Sequence, residues 1–318
     1  MKHSFIFFLL FFMTIQLEVS AQQNKIGVIK LKEHRYDPPW NPPIESALHF
    51  TIEGIDNLPD IYGDINDPQL VIFMGGNQFM VLDDLLAAFK KKHPQYQRIL
   101  VETLPPGLLF EQIRTGELVI GNMRISVKPD IYTTGKNKIE ENITMFSRTE
   151  AFTATQLALM VQKGNPKKIN GIEDLQKNNI RISMPDKKIE GIGNNVEDAF
   201  RKAGGDKLHN KIMVAKVKDS TTFITEIHHR QSPMRILYNK SDVAPVWETE
   251  IFYQKSLGHP VDYVGIPEAY NKLSVSSAGL LKDAPNKVAA NHFMDFLKSE
   301  EAKTIFKKYG FKDVPVTR

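Results

Sequence analysis

The chain has 318 residues, 42% hydrophobic and 25% charged, with 41 Lys and Arg against 37 Asp and Glu for a net charge of +4. These proportions exclude disorder, collagen and coiled coil, and the length suits one large domain or two of about 150 residues. So small and diffuse a charge gives no argument for a nucleic-acid partner, and the lack of Cys excludes disulfides, Cys-ligated zinc or iron–sulfur clusters, and a thiol nucleophile.

Residues 1–21 read as a secretory signal peptide. Lys2 and His3 give a basic start, residues 5–15 are apolar except for Thr14, and Val19-Ser20-Ala21 offers small residues for cleavage. The run is shorter than the roughly 20 apolar residues of a spanning helix, so the expectation is an exported protein, soluble in the periplasm after cleavage. Residues 22–66 form an irregular arm. Its Pro38-Pro39-Trp40-Asn41-Pro42-Pro43 stretch forbids helix and central strand, and Trp40 is expected to pack the arm against the body.

Regular structure begins with Leu70-Val71-Ile72-Phe73-Met74, a continuous apolar run suited to a strand covered on both faces. After the turn Gly75-Gly76-Asn77, apolar residues at 81, 82, 85, 86 and 89 predict a helix, with Lys90, Lys91 and Lys92 in its last turn, where cations suit the helix dipole. A second unit repeats the plan with a strand over 99–103, the turn Pro105-Pro106-Gly107 and a helix over 108–114; a third strand follows at 118–120. The alternation resumes with a strand at 157–161, the turn Gly164-Asn165-Pro166, a short helix from 172, a strand at 180–183, a helix over 194–202 and a strand at 212–217. Ser220-Thr221-Thr222 is expected to cap a helix ending near His229. A strand at 235–238 and a helix over 242–253 follow, the latter with Pro245 in its first turn. Residues 277–281 read as extended, and 288–297 and 301–309 as amphipathic helices, the last capped by Ser299 and stopped by Gly310. Strand and helix alternate, so the fold class is α/β, with mainly parallel pairing expected.

Catalytic and metal signatures are missing: there is no H-E-x-x-H, G-x-S-x-G or P-loop, and no complete G-x-G-x-x-G. His228-His229 lie about 100° apart on a helix and make no natural two-ligand site. No cofactor or metal is expected, and no nucleophile with an orienting base can be assembled, so the chain does not read as an enzyme. What recurs is a tight turn between a strand and a helix start, at Gly75-Gly76-Asn77-Gln78, Pro105-Pro106-Gly107-Leu108 and Ser220-Thr221-Thr222. Such turns present free N–H groups to an anion at the carboxyl ends of strands, although turns use these residue types everywhere.

Several stretches, taken in order, resemble the type II periplasmic solute-binding proteins, nearest the molybdate/tungstate-binding branch. They are Val71-Ile72-Phe73-Met74-Gly75-Gly76-Asn77, Leu108-Leu109-Phe110-Glu111-Gln112-Ile113, Ser183-Met184-Pro185-Asp186, Ile236-Leu237-Tyr238-Asn239-Lys240-Ser241-Asp242-Val243, and Ala289-Ala290-Asn291-His292-Phe293-Met294-Asp295-Phe296-Leu297 through Tyr309-Gly310-Phe311. The likeness spans about 67–313. It implies two lobes, each a mixed sheet flanked by helices: 67–153 plus 271–318, and 154–270. Crossovers fall near 152–156 and 264–274, and the lobes close over a small anion for an ABC importer. It further implies a monomer that meets the membrane only through the permease. A periplasmic sensor with the same site, or an enzyme on the same fold, are the competing readings.

By position the resemblance puts Asn77, Gly107, Thr221 and Tyr238 at the ligand, with Gln78, Leu108 and Ser220 beside them. Pro105 and Pro106 depart from the serine-rich turn of that branch, because proline has neither a hydroxyl nor an N–H. Arg124 and Arg235 are candidate compensating cations for a carboxylate, phosphate or sulfonate. Trp247 is a candidate wall of the cleft, or a core tryptophan.

Overall fold

The computed structural model describes residues 47–48, 61–120, 123–225 and 230–315. The signal-peptide reading, nearly all of the proline-rich arm, and His228-His229 lie outside the described residues. The first strands are β1 (Ala47–Leu48), β2 (Ile61–Gly63) and β3 (Leu70–Phe73). All four β3 residues are buried, which explains an apolar run with no polar alternation. A 3-10 turn over Gly76–Val81 leads into α1 (Leu82–Lys92), which buries Leu82, Leu85, Leu86 and Phe89 and keeps three lysines in its last turn. Next come β4 (Ile99–Glu102) and α2 (Pro106–Thr115), with Pro106 where a helix start tolerates proline. Strands β5 (Leu118–Ile120) and β6 (Met123–Ile125) form a separate antiparallel hairpin. The third predicted strand therefore does not join the main sheet.

The first sheet continues with β7 (Ile131–Gly135), flanked by α3 (Lys136–Glu141), and the long β8 (Phe146–Thr155). The chain then crosses at Gln156 into β9 (Leu157–Gln162) of a second sheet. That sheet adds β10 (Ile182–Met184), then α4 (Gly191–Asn210), β11 (Thr222–Ile224), α5 (Gln231–Leu237), β12 (Val243–Trp247), α6 (Glu248–Ser256) and β13 (Val261–Gly265). The chain returns through residues 266–273 to β14 (Ser274–Leu281), which inserts between β7 and β8. The tail helices are α7 (Lys287–Leu297) and α8 (Glu300–Lys308).

Both sheets are mixed. The first has the order β1-β2-β4-β3-β7-β14-β8, in which only the β3–β4 and β3–β7 pairs are parallel. The second runs β11-β10-β12-β9-β13, parallel at β10–β11 and β10–β12. In β9 the alternation of a strand is visible: Leu157, Leu159 and Val161 join one apolar cluster, Ala158 and Met160 another. The tail helices return to the first sheet, where Phe293 meets Phe89 edge-on at 5.0 Å. Ser299 caps α8 by accepting from the Ala302 N–H, and Gly310 ends it at φ 85°. No helix among the described residues is long and apolar enough to cross a membrane.

Four expectations fail in the second sheet. Residues 212–217 are helical, not a strand: a π-turn over Lys211–Ala215 runs into Lys216–Lys218. Leu208, Ile212 and Lys216 are all buried while Val214 is 60% exposed, a four-residue spacing that only a helix produces. Thr222 opens strand β11 instead of capping a helix, because Ile182, Ser183 and Met184 offer it a parallel partner. The segment read as a strand at 235–238 is helix α5, with Pro233 in its first turn. Finally, the expected helix over 242–253 splits into β12 and α6. Pro245 sits in β12, where the ladder to β10 registers only at Ile182 and Val243, so its missing N–H breaks little pairing.

Candidate functional site

The carboxyl end of β10, the start of α2 and the ends of β7 and β8 converge on one cleft of about 750 Å³ between the two sheets. This is where ligands sit in open α/β sheets. From the first lobe it is lined by Asn77, Pro106, Gly107, Thr134, Thr155, Ser274 and Ser276, and from the second by Lys187, Lys188, Glu190, Asn194, Asn195, Ser232 and Trp247. Trp247 both lines the cleft and packs against the second lobe's core.

Of the expected site residues, Asn77 and Gly107 line this cleft. Gln78 is buried beneath it and accepts from the Thr133 hydroxyl at 3.0 Å, while that hydroxyl accepts from the Gly75 N–H. The others are held elsewhere. The Leu108 N–H is spent on Pro105 O at 2.9 Å. Arg124 lies on the β5–β6 hairpin, 68% exposed and paired with Glu117 at 2.9 Å. Ser220 and Thr221 precede β11 and so lie at the opposite end of the strand from the cleft. There Ser220 adopts φ 53° and both the N–H and the hydroxyl of Thr221 donate to Lys216 O. Tyr238 caps the far end of α5 and is 45% exposed. Arg235 fixes the second lobe internally, donating to Ser183 Oγ and to the carbonyls of Phe223 and Ile224.

The cleft charges divide into spent and available ones. Lys136 pairs with Glu140 at 3.6 Å, Lys138 with Glu141 at 3.0 Å and Lys187 with Glu197 at 3.0 Å. Lys188 and Lys272 also line the cleft, and neither ammonium pairs with another described residue; the Lys188 N–H donates to Asp186 Oδ1 at 2.9 Å. Among the carboxylates in its wall, Glu111 is bound by Arg114, Glu190 accepts from the Thr225 hydroxyl, and Glu250 accepts from Gln254. Thr225 and Gln254 are neutral donors, so these two bonds leave the charges of Glu190 and Glu250 in place.

The lobes already touch around this cleft. The Gly107 N–H donates to Ile189 O at 3.1 Å. Behind it, Arg230 of the second lobe is fully buried, 3.7 Å above the Phe79 ring and within 3.3 Å of Gly76 O. At the crossovers Gln156 donates to Glu248 at 2.9 Å and receives the Glu248 N–H on its own carbonyl. Asn271 joins the two crossing segments through Leu157, accepting from its N–H at 3.0 Å and donating to its carbonyl at 2.8 Å. These are short polar bonds where the chain passes between the two larger described sheets.

Some of the cleft residues that sequence reasoning missed come from the crossing strands. Thr155 in β8, and Ser274 and Ser276 in β14, carry the signal that could have found them. Alternating hydroxyls on segments expected to pass between lobes mark a polar face.

A family described as "bacterial extracellular solute-binding protein" matches residues 70–312. Comparison with curated proteins gives no match. Among solved structures, a periplasmic molybdate-binding protein from Azotobacter vinelandii is similar, with 17% identity and a TM-score of 0.63 over 78% of this chain and 100% of that one. Peb3 from Campylobacter jejuni has 20% identity and a TM-score of 0.57 over 77% and 100%. AfuA from Actinobacillus pleuropneumoniae, with fructose 6-phosphate bound, has 18% identity and a TM-score of 0.57 over 76% and 82%.

Proposed function

This chain belongs to the bacterial extracellular solute-binding proteins, and on that premise we propose that it captures a small anion between its lobes and delivers it to an ABC importer. The observation that carries the anion is the pair Lys188 and Lys272, which line the cleft and whose ammonium groups make no ion pair with a described residue. The lining also offers hydroxyls and amides, among them Thr155, Ser274, Ser276, Asn77, Asn194 and Asn195, donors that hold an anion without burying a fixed countercharge.

The ligand class that fits best is a small organic anion. The cleft volume of about 750 Å³ falls within the roughly 300–1,000 Å³ of sites for organic molecules. A bare tetrahedral metallate would rely on backbone N–H groups at the start of α2, and these are occupied: Gly107 donates to Ile189 O and Leu108 to Pro105 O. The folds similar to this one are named for molybdate in one case and carry a phosphosugar in another, so the architecture accommodates both kinds of ligand.

A thermal-shift series tests the reading. Molybdate, sulfate, inorganic phosphate and glycerol 3-phosphate are compared with uncharged glycerol. A ligand at a hundredfold excess over its Kd stabilises by about 2.7 kcal/mol. The expected result is a clear upward shift with an organic phosphate and none with glycerol. No shift with any of the anions, or an equal one with glycerol, contradicts the proposal.

A further inference from the structure

The hydroxyls that line the cleft fall into two groups. Ser232 is committed to Ser183 at 3.0 Å, and Thr134 meets the Tyr132 phenol. Thr155, Ser274 and Ser276 make no side-chain hydrogen bond with another described residue. Thr155 is the sharpest case. It is 1% exposed, its Oγ1 is buried without a partner among the described residues, and it lines the cleft. A buried hydroxyl left unpaired is costly, so such groups are rare unless something else completes them.

These three residues are neighbours by strand register. Thr155 stands directly opposite Ser274 in the β8–β14 ladder, and Ser276 is two residues further along β14. Residues two apart share a face of a strand, and so do residues directly opposite on a partner strand. Lys272, with its uncommitted charge, precedes Ser274 on the same approach to the cleft. Three neutral donors beside one cation match the needs of an oxygen-rich anionic group: the hydroxyls each donate to an oxygen, and the ammonium balances charge.

We propose that Thr155, Ser274 and Ser276, with Lys272, form the subsite that holds the anionic group of the ligand. The inference rests on the anion-capture reading and adds where the charge is held. It also joins binding to lobe movement, since β8 ends at Thr155 and the next residue, Gln156, is the crossover anchored to Glu248.

The test compares wild type with Thr155→Val and Ser276→Ala, using calorimetry and thermal melts with inorganic phosphate, sulfate, molybdate and glycerol 3-phosphate as probes. Valine keeps the shape of threonine and removes only the donor. Both variants should bind the probe preferred by wild type about 10- to 150-fold more weakly. The probe-free melting temperature of Thr155→Val should be unchanged or higher, because a buried unpaired hydroxyl has been removed. Wild-type affinity in both variants overturns the subsite while leaving anion capture intact. A lower probe-free melting temperature for Thr155→Val also overturns it, because the hydroxyl would then be serving the fold. If wild type binds none of the four probes, the anion-capture reading fails and the subsite with it. If Thr155→Val does not fold, Ser276→Ala decides.

Discussion

Gly107 and Ile189 meet across the cleft, with the Gly107 N–H donating to Ile189 O at 3.1 Å. The approach is possible only without a side chain at 107. A Cβ there would lie 2.8 Å from Ile189 O and 3.0 Å from Ile189 Cα. This bond links a helix start in one lobe directly to a loop in the other.

Gly107→Ala should therefore weaken closure without harming the first lobe. Alanine is a better helix former than glycine, so the melting temperature of the ligand-free protein should hold or rise. Affinity should fall by roughly 1–3 kcal/mol, the usual cost of overpacking. Calorimetry with the preferred anion checks this, and unchanged affinity would show that the 107–189 contact plays no part in binding.

Arg230 and Phe79 form the second link between lobes. The guanidinium lies 3.7 Å from the ring centre, and the ring meets Tyr253 edge-on at 5.0 Å. Arg230→Ala should cost roughly 2–4 kcal/mol, combining a desolvated cation–π contact with a lost charged hydrogen bond. Arg230→Lys should recover little, since an ammonium cannot lie flat on the ring and reach Gly76 O together. Urea midpoints measure both variants.

Asp130 staples three parts of the first lobe. Its buried carboxylate accepts from the Val71 N–H at 2.8 Å, the Asn286 N–H at 2.6 Å and Asn286 Nδ2 at 3.1 Å. Burial pushes its pKa up against these bonds. Asp130→Ala leaves buried donors unpaired and should cost roughly 2–4 kcal/mol. Hydrogen exchange should accelerate at Val71 and Asn286 first; uniform acceleration over both lobes would contradict a local staple.

His259 supplies a pH signature. Burial lowers its pKa from the usual 6.5 to about 4, and it is held against Gln254. Between those values the unfolded chain takes up a proton that the folded protein refuses. Its contribution to stability is thus full above pH 6.5 and is lost as pH falls toward 4. Denaturant melts at pH 7 and pH 5 should show a smaller difference for His259→Gln than for wild type.

The sequence is most readable where one physical signal acts alone. Strand β3 is apolar because both faces are covered, and α8 carries its own cap at Ser299 and its own stop at Gly310. Residues 212–217 mislead because the buried helical face includes Lys216. Its ammonium donates to the carbonyls of Lys177 and Ile180 at 2.8 and 2.7 Å, so a charged residue occupies a core position and hides the four-residue period. Asn77 and Gly107 could be placed at the cleft from sequence because they sit in turns after buried strands. Thr155 and Ser274 escaped notice because their meeting depends on a ladder between strands far apart in the chain. No local pattern encodes that register.

The central claim is that the cleft selects for negative charge. Calorimetry of the purified protein with glycerol 3-phosphate and with glycerol addresses it most directly, repeated on a Lys188→Gln, Lys272→Gln double variant. The account predicts one-to-one binding of the phosphate, no measurable binding of glycerol, and a marked loss of phosphate affinity in the double variant. Equal binding of glycerol and its phosphate, or a double variant as tight as wild type, would contradict it.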